Sequence, residues 1–348
     1  MIFNPILLLI YIFFIGRNYS VNSRIYKMID FDCIDYQSLS NITCFPHNEK
    51  KPFKYICNTI RRKFAYDRPK MTSFVHYLMK RFKNHVKDAE SIAAIDFLEK
   101  SLFCAVIYRQ QNIEFNQYQK NHSDQFESEY KDIQKKYHNF ITEEVFHFHN
   151  GLRFASSKIK KYIKSRDILD IGSFDGDSCS ILKDYTDRKV YSYEISKVNI
   201  KSYLENMKLN NIPNNKYEII NSGMSNKVEQ TYIKFCHDPG CSVNSKGKVL
   251  INLSTIDEEV KNRKLKVGFI KADVEGLGLD VIKGGFKTFK KQKPVMEFAI
   301  YHSFKEMFGI FDFLLNEIGG YSFQFHSENM NVASSGEIAL FAYPSFLD

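Results

Sequence analysis

Between about residues 24 and 150, apolar residues recur every three or four positions, which is the period of an amphipathic helix. Two such stripes consist of Phe74, Leu78, Phe82 and Val86, and of Ile92, Ile95, Leu98, Leu102 and Val106. Charged residues lie on the opposite faces, so we expect both helices to turn their stripes toward a core. Residues 112–149 are more polar and are predicted to form one long amphipathic helix that leads into the next domain.

From about residue 151 the pattern changes to short apolar runs that alternate with helical segments. Strands are predicted at 167–171, 189–194, 216–220, 267–271 and 294–300, and helices at 177–185, 196–209, 277–289 and 304–318. Short buried strands separated by helices of this length predict a parallel sheet that is covered on both faces. Two further strands, 321–326 and 337–343, have no helix between them and should form an antiparallel hairpin at one end of the sheet.

The chain starts with a different kind of segment. Residues 6–15 read ILLLIYIFFI, and Arg17 is the first charged residue. This run suits a signal peptide or an uncleaved anchor, although it is shorter than the ~20 residues that span a bilayer. We therefore expect residues 1–23 to direct the protein to the secretory pathway or to a membrane. The alternative, a buried first helix or a mis-started reading frame, would leave the protein in the cytoplasm.

The composition is that of a folded protein with an apolar core. The 348 residues are 44% hydrophobic and 26% charged, which excludes collagen-like, low-complexity and mainly disordered chains. Seven cysteines are too few for a disulfide scaffold. Cys33, Cys44 and Cys57 lie near His47, but their spacing matches no zinc motif, and a disulfide among them becomes plausible only if the chain is secreted. We predict three parts: the leader, a helical region 24–150 and an α/β domain 151–348.

A glycine-containing turn follows the first strand of the α/β domain. Its residues, Asp170-Ile-Gly172-Ser173-Phe-Asp-Gly176, form a D-x-G-x-x-x-G pattern before a helix that begins near Asp177. The two glycines allow a tight turn and the close approach of a ligand, and the helix start supplies oriented N–H groups. The pattern differs from the G-x-G-x-x-G loop that holds a pyrophosphate. Its acidic residues argue against an anionic ligand and favour one that carries a cationic or amino group.

Glu194 ends the second strand about twenty residues further on, where a carboxylate can accept two hydrogen bonds from ribose hydroxyls. A nucleoside that has no phosphate and carries a positively charged amino-acid tail fits both features. S-adenosylmethionine is such a ligand. Together with the terminal hairpin, these features predict a Rossmann-like, class I methyltransferase fold with a seven-stranded, mostly parallel sheet.

Residues 269–285, FIKADVEGLGLDVIKGG, resemble the I-K-x-D-V-E-G…L-x-V-L-K-G signature of FkbM-type methyltransferases. Segments 221–226, 254–257 and 294–302 agree with the family in order, and the resemblance extends over residues 165–345. It implies an S-adenosylmethionine-dependent O-methyltransferase that acts on a hydroxyl of a sugar or a small-molecule scaffold. Ser222 and Gly223 join the predicted cofactor residues. One departure is Gly278, where family members often carry an acidic residue, and it affects either a site contact or the start of a helix.

An alcohol attacks a methyl group more readily when a general base removes its proton. Asp273, Glu275 and His302 are the candidate bases, because all three follow the fourth or fifth strand, and Lys271 could pair with Asp273 or hold a substrate oxygen. Other interpretations are that Glu275 caps the next helix and that His302 is a surface loop residue. The three candidate bases could also bind a metal, although we predict none.

Two other functions remain as alternatives. The Gly278 departure is compatible with a degenerate protein that binds ligand without turnover. The net charge of +9 is the only feature that suggests a nucleic-acid methyltransferase, and its 49 basic and 40 acidic residues are scattered along the chain. The Asn/Asp-Pro-Pro-aromatic loop that methylates exocyclic amines is missing. We therefore predict a hydroxyl acceptor, no nucleic-acid partner and an association with a membrane through the N-terminus.

Overall fold

The computed structural model describes residues 44–45, 51–108, 112–113, 116–142, 144–233, 249–327 and 337–348, which belong to one compact unit. The predicted leader, Cys33 and His47 lie outside these residues, so the predictions about them remain predictions. Among the helices that are described, none combines the length and the apolar character needed to cross a membrane.

The strands follow one another along the chain as β1 Cys44–Phe45, β2 Asn112–Ile113, β3 Asp167–Ile171, β4 Val190–Tyr193, β5 Tyr217–Ile220, β6 Gly223–Met224, β7 Glu229–Ile233, β8 Val249–Ser254, β9 Val267–Ala272, β10 Val295–Ala299, β11 Tyr321–Ser327 and β12 Ile338–Pro344. The helices of the first part are α1 Lys51–Lys63, α2 Arg68–Lys83, α3 Ala89–Phe103, α4 Gln117–Lys136 and α5 Val145–Phe148. Those that follow are α6 Ser157–Lys164, α7 Asp177–Leu182, α8 Lys197–Leu209, α9 Ile256–Arg263, α10 Gly278–Gly284, α11 Phe286–Gln292 and α12 Phe304–Phe313. A π-helical turn continues α3 over Cys104–Tyr108 and another continues α12 over Leu314–Ile318, and a 3-10 turn spans Ser345–Leu347.

Seven strands form the central sheet in the order β11-β12-β10-β9-β3-β4-β5. The strands β10, β9, β3, β4 and β5, which are neighbours in this order, pair in parallel. Strand β12 runs antiparallel to both β10 and β11. Every residue of β3, β9 and β10 is buried, as expected for a sheet that is covered on both faces. The predicted fold class and the terminal antiparallel hairpin are thus confirmed.

Besides the central sheet and the β1–β2 pair, a three-stranded sheet lies between β5 and α9 in the sequence and was not predicted. Its strand order is β6-β8-β7, with β6 parallel and β7 antiparallel to β8. Ile251 and Leu253 of β8 are buried, while Tyr232 and Leu250 are exposed. The apolar residues of this sheet are too few, and their pattern too mixed, for a clear strand signal in the sequence.

The N-terminal helices pack against the last elements of the chain. The Phe82 ring on α2 lies 5.4 Å from Phe308, 5.0 Å from Phe311 and 4.6 Å from Phe325 between centroids. Arg81 forms an ion pair of 2.6 Å with Asp312. These contacts connect the helical region with the α/β domain, and the predicted boundary at residue 150 remains a prediction.

Three details of the predicted helices are wrong. Ile92 was placed in a core-facing stripe but is 39% exposed, while the other residues of both stripes are buried. The helix expected over 112–149 ends at Lys136, and Asn139 then adopts a left-handed φ of 65° that no helix accommodates. The helix expected over 277–289 is divided at Gly285, because the Gly284-Gly285 pair interrupts it.

Candidate active site

The turn after β3 lies in direct contact with the residues that follow β9, the neighbouring strand of the central sheet. Gly172 has φ +77°, and a Cβ atom there would lie 1.8 Å from the Asp273 carbonyl oxygen. No other residue therefore fits this position. Gly176 has φ +90°, and its Cβ would meet Met207 and Tyr203 of α8 at 2.5 and 2.9 Å, so the close approach at Gly176 is to another helix.

Asp170 and Lys271 form a buried charge pair below this turn. Lys271 Nζ lies 3.6 Å from Asp170 Oδ1 and donates a hydrogen bond of 2.7 Å to the Gly172 carbonyl. Burial opposes the charge on both groups, and it raises the pKa of Asp170. For Lys271 the nearby carboxylates outweigh burial and raise the pKa, so the ammonium group remains charged. Lys271 thus stabilises the turn after β3 through its hydrogen bond to Gly172. Its ion pair is with Asp170, and not with Asp273 as the sequence suggested.

Several polar groups of the turn are buried. Asp177 is 5% exposed, and burial, followed by the neighbouring Asp175 carboxylate, raises its pKa to about 7. The hydroxyl groups of Ser173 and Ser178 are buried and have no hydrogen-bond partner among the described residues. Unpaired buried hydroxyls are costly, so these two are available to a ligand that enters the turn.

Glu194 follows β4, one strand away from the turn. Its Oε2 accepts a hydrogen bond of 3.0 Å from the Phe174 amide, and its Oε1 accepts one of 2.7 Å from the Ser196 amide. Burial raises the pKa of Glu194, and these amides oppose that shift. The carboxylate is therefore fixed in position before a ligand binds, and each oxygen retains a second lone pair as an acceptor.

A cleft of about 570 Å3, partly open to solvent, lies at the carboxyl ends of β3, β4 and β9. Its lining residues are Ile171, Gly172, Tyr193, Glu194, Ile195, Asn199, Gly223, Met224, Leu253, Asp273, Val274, Glu275 and Leu277. Of the predicted cofactor residues, Gly172, Glu194 and Gly223 line the cleft. The others are not among its lining residues: Asp170, Ser173, Gly176, Asp177 and Ser222.

The Ser222 hydroxyl makes its hydrogen bonds within the protein. Its Oγ lies 3.1 and 3.2 Å from the carbonyl oxygens of Gly223 and Asn252, to which it donates its proton. The apolar wall made by Ile195, Met224 and Leu253 was not predicted, nor was Asn199. Asn199 could have been found from its position five residues after Glu194, at the start of a helix that faces the same strand ends.

The candidate bases lie together at the end of β9. His302 Nε2 lies 2.7 Å from Asp273 Oδ1, and His302 Nδ1 lies 3.3 Å from Glu275 Oε2 in an ion-pair contact without a hydrogen bond. The His302 side chain is 4% exposed, whereas Asp273 and Glu275 are 35% and 31% exposed and face the cleft. His302 is thus a buried residue and not a surface loop residue.

The two carboxylates keep His302 protonated. Burial alone would lower the pKa of His302, but Asp273 and then Glu275 raise it to about 11. Burial alone would raise the pKa of Asp273, but His302 lowers it to about 2. In this state an imidazolium cation lies between two carboxylates.

Among the residues that the structure describes, the same three side chains form the group that could hold a metal ion. Their ligand atoms lie within 4.8 Å of one another, and a histidine with two carboxylates suits divalent cations that prefer nitrogen and oxygen. However, both nitrogens of His302 already face carboxylates.

Gly278, the departure from the family pattern, lies beside a buried carboxylate from another helix. Glu306 of α12 is fully buried, and its Oε1 accepts hydrogen bonds of 3.1 and 2.8 Å from the Gly276 and Gly278 amides. Glu306, and not Glu275, therefore contacts the start of α10. Glu306 was not among the predicted site residues.

Residues 170–325 match the family model described as the methyltransferase FkbM domain. The chain carries an FkbM methyltransferase domain. The resemblance drawn from residues 269–285 is thereby confirmed, and the matched segment contains the Gly172 turn, Glu194, Asp273, Glu275 and His302.

One solved structure agrees with this assignment at the level of the fold. Methyltransferase FkbM from Methylobacillus flagellatus KT superposes with a TM-score of 0.52 at 15% sequence identity, over 77% of this chain. The match covers 59% of that protein's chain, so this protein spans about three fifths of its length. No curated protein matches the chain in sequence.

Two other structures are less similar to the FkbM domain. A candidate methyltransferase from Streptococcus mutans in complex with SAH has a TM-score of 0.35 at 9% identity, over 59% of this chain and 99% of that one. A candidate caffeoyl-CoA O-methyltransferase from Staphylococcus aureus has a TM-score of 0.38 at 14% identity, over 66% of this chain and 100% of that one. Scores below 0.5 are too low for a comparison of sites.

Proposed function

We propose that the FkbM domain transfers a methyl group from S-adenosylmethionine to a hydroxyl of a neutral acceptor, such as a sugar or another small molecule. The observation that carries this proposal is a single cleft with a fixed carboxylate, Glu194, on one side of the Gly172 turn and the Asp273–His302–Glu275 cluster on the other. These groups follow β4 and β9, which are separated by β3 and hence by about 10 Å.

The residues around Glu194 fit the cofactor. Its carboxylate would accept hydrogen bonds from the ribose hydroxyls, and the apolar wall of Ile195, Met224 and Leu253 would contact the adenine. Gly223 keeps this wall flat, since a Cβ atom there would lie 2.6 Å from Leu253. When bound, S-adenosylmethionine supplies a methyl group on a positively charged sulfur that is a good leaving group.

The chain's own residues orient the acceptor and receive its proton. His302 already carries a proton, so the carboxylates of Asp273 and Glu275 are the groups that can accept another. Because the three groups are coupled, the proton belongs to the cluster rather than to one residue. Alignment of the hydroxyl with the methyl carbon contributes the remainder of the rate enhancement.

The charges at the cleft support a neutral acceptor. Glu194, Asp273 and Glu275 line it with carboxylates, while the His302 cation lies buried behind them. A phosphate or carboxylate close to the reacting hydroxyl would be repelled by this surface. A sugar hydroxyl carries no such charge.

The first test is a calorimetric titration of S-adenosylmethionine into the full chain. We expect saturable binding, and we expect Glu194→Ala to raise Kd by about 10- to 100-fold, since it removes hydrogen bonds to a charged group. Glu205→Ala is the matched control, because Glu205 is a 63% exposed glutamate on α8. The absence of binding by the wild type would reject the proposal.

The second part of the test is the transfer of a labelled methyl group. Neutral sugars and small alcohols would be compared with their phosphorylated forms at equal concentrations. We expect label only in the neutral acceptors. Label that is confined to the phosphorylated forms would contradict the proposed acceptor class, and binding without any transfer would favour a binding protein.

A further inference from the structure

We propose that Glu306 is a positioning residue that holds the 273–278 turn in the conformation in which Asp273 and Glu275 face His302 and the cleft. Its effect on catalysis rests on the proposed methyl transfer, whereas its effect on the turn does not. Glu306 lies outside the cleft lining and contacts the turn from behind.

The Glu306 side chain points into the protein although it lies in the first turn of α12. Ser303 caps this helix by accepting a hydrogen bond of 3.2 Å from the Glu306 amide, and its hydroxyl lies 3.3 Å from Glu306 Oε2. Oε1 is thereby directed at the Gly276 and Gly278 amides, which lie 30 and 28 residues earlier in the chain. The carboxylate thus connects α12 with the turn after β9.

The turn adopts a backbone conformation that needs such support. Glu275 has φ +51° and Gly276 has φ +106°, so two successive residues lie at positive φ. A non-glycine residue remains in this region only when its surroundings hold it there. Besides Glu306, the Leu277 amide helps to close the turn by donating a hydrogen bond of 3.2 Å to the Val274 carbonyl.

Gly278 provides the room for the Glu306 carboxylate. A Cβ atom at this position would lie 2.9 Å from Glu306 Oε1 and 3.0 Å from Ile310 Cδ1. Both contacts are tight, so a larger side chain would shift the Glu306 carboxylate and the end of the Ile310 side chain. Gly278 and Glu306 therefore act as one unit.

This unit connects the two parts of the Asp273–His302–Glu275 cluster. Asp273 and Glu275 belong to the turn, whereas His302 directly precedes Ser303, the cap of the helix that carries Glu306. A hydrogen bond from the turn to Glu306 therefore fixes the distance between the two carboxylates and the imidazolium. Loss of that bond would allow the turn to move relative to His302.

The test compares three substitutions of Glu306 that separate the effect of its side-chain length from the effect of its negative charge. Glu306→Gln keeps an oxygen acceptor at the same distance, Glu306→Asp keeps the charge on a shorter side chain, and Glu306→Ala removes both. We expect the Ala and Asp variants to lose kcat by about a hundredfold, the effect of a small misplacement of reacting groups, with Kd for S-adenosylmethionine little changed. The Gln variant should stay close to the wild type, as should the control Glu205→Ala.

A second readout does not depend on turnover. Hydrogen exchange of the segment 273–280 should be faster in the Ala and Asp variants than in the Gln variant and the wild type. This measurement still decides the role of Glu306 in the turn if the wild type transfers no methyl group, a result that would reject the proposed function instead. Unchanged exchange and kcat in Glu306→Ala would overturn the inference.

A double-mutant cycle addresses the Gly278–Glu306 unit. We expect Gly278→Ala to speed exchange and lower kcat in the wild-type background, but to add little in the Glu306→Ala background, where the carboxylate has gone. Independent, additive effects would contradict the inference. So would a Gln variant that is as impaired as the Ala variant, because the loss would then come from the charge.

Discussion

Two groups of buried histidines in this protein have opposite charge states. His302 lies beside the cleft, and its pKa is raised to about 11. The interior histidine cluster, defined here as His122, His147 and His326, lies between α4, α5 and β11, where burial lowers the pKa of His122 and His326 to about 4 and lowers that of His147 as well. All four side chains are less than 9% exposed, so burial alone does not explain the difference.

The difference comes from the partners. His302 has a carboxylate near each ring nitrogen, at 2.7 and 3.3 Å. His122 instead contacts the His147 nitrogen at 3.1 Å and is surrounded by the rings of Tyr118, Phe148 and Phe154. Glu129, the carboxylate nearest to His147, is already paired with Arg153 through bonds of 2.6 and 2.7 Å.

This comparison shows which perturbed histidine indicates a functional site. A pKa that is lowered by burial among aromatic rings is common in a protein core. A histidine that is held as a cation between two cleft-facing carboxylates has a strongly perturbed pKa of the other sign, and groups perturbed by a specific charge partner in a cleft concentrate at functional sites. The following predictions test whether the two groups differ in function as they do in charge.

The largest expected effect is on catalysis. We expect His302→Gln and Asp273→Asn each to lower methyl transfer by about 100- to 10,000-fold, the range that is typical when proton transfer is impaired. His122→Gln makes the same change in the interior histidine cluster and should retain most of the activity. Initial rates with labelled cofactor would measure this. Equal losses at positions 302 and 122 would show that only folding is affected.

The next effect is on stability, with opposite signs for the two groups. Because the pKa of His302 is raised, its stabilising contribution is complete below pH 6.5 and is lost as pH rises through about 11. Because the pKa of His122 is lowered, its contribution is complete above pH 6.5 and is lost as pH falls through about 4. Each group changes the free energy of unfolding by at most about 1.4 kcal/mol per pH unit within its window.

Denaturant unfolding between pH 4 and pH 10 measures both windows. His302→Gln should flatten the loss of stability on the alkaline side, and His122→Gln should flatten it on the acid side. In the wild type the contribution of the Asp273 carboxylate is lost only as pH falls from 3.8 toward 2, but His302→Gln removes the cation that lowers the pKa of Asp273, so this variant should also lose stability on the acid side. An unchanged alkaline loss in His302→Gln, or an unchanged acid loss in His122→Gln, would refute the assigned charge state.

The sequence predicted much of the cleft. The Gly172 turn and Glu194 could be found because strand ends and turn glycines are local features, and the parallel order brings them to the same edge of the sheet. Asp273, Glu275 and His302 were likewise placed together correctly. The charge on His302 could not be predicted, since it depends on side chains that lie 27 and 29 residues away in the chain.

Glu306 shows where sequence reasoning stops. Ser303 and Glu306 have the S-x-x-E spacing of a capping box, in which the glutamate returns to the cap residue's own amide. In the structure the serine caps the helix as this pattern predicts, but the glutamate contacts Gly276 and Gly278 instead. The small sheet of β6, β7 and β8 was missed for a related reason, because its strands are stabilised by pairing more than by an apolar pattern.

The smallest expected effect comes from His326. Its Nε2 is buried without a hydrogen-bond partner among the described residues, and its ring packs 5.7 Å from that of Phe341. His326→Leu removes a titrating group and no hydrogen bond at that nitrogen, so the stability at pH 7.5 should change by less than about 1.5 kcal/mol. At pH 5 the variant should avoid a loss of about 2 kcal/mol that the wild type suffers, because its pKa of about 4 lies below 6.5. If the acid loss were the same in both proteins, His326 would already be charged in the fold, and the contrast with His302 would disappear.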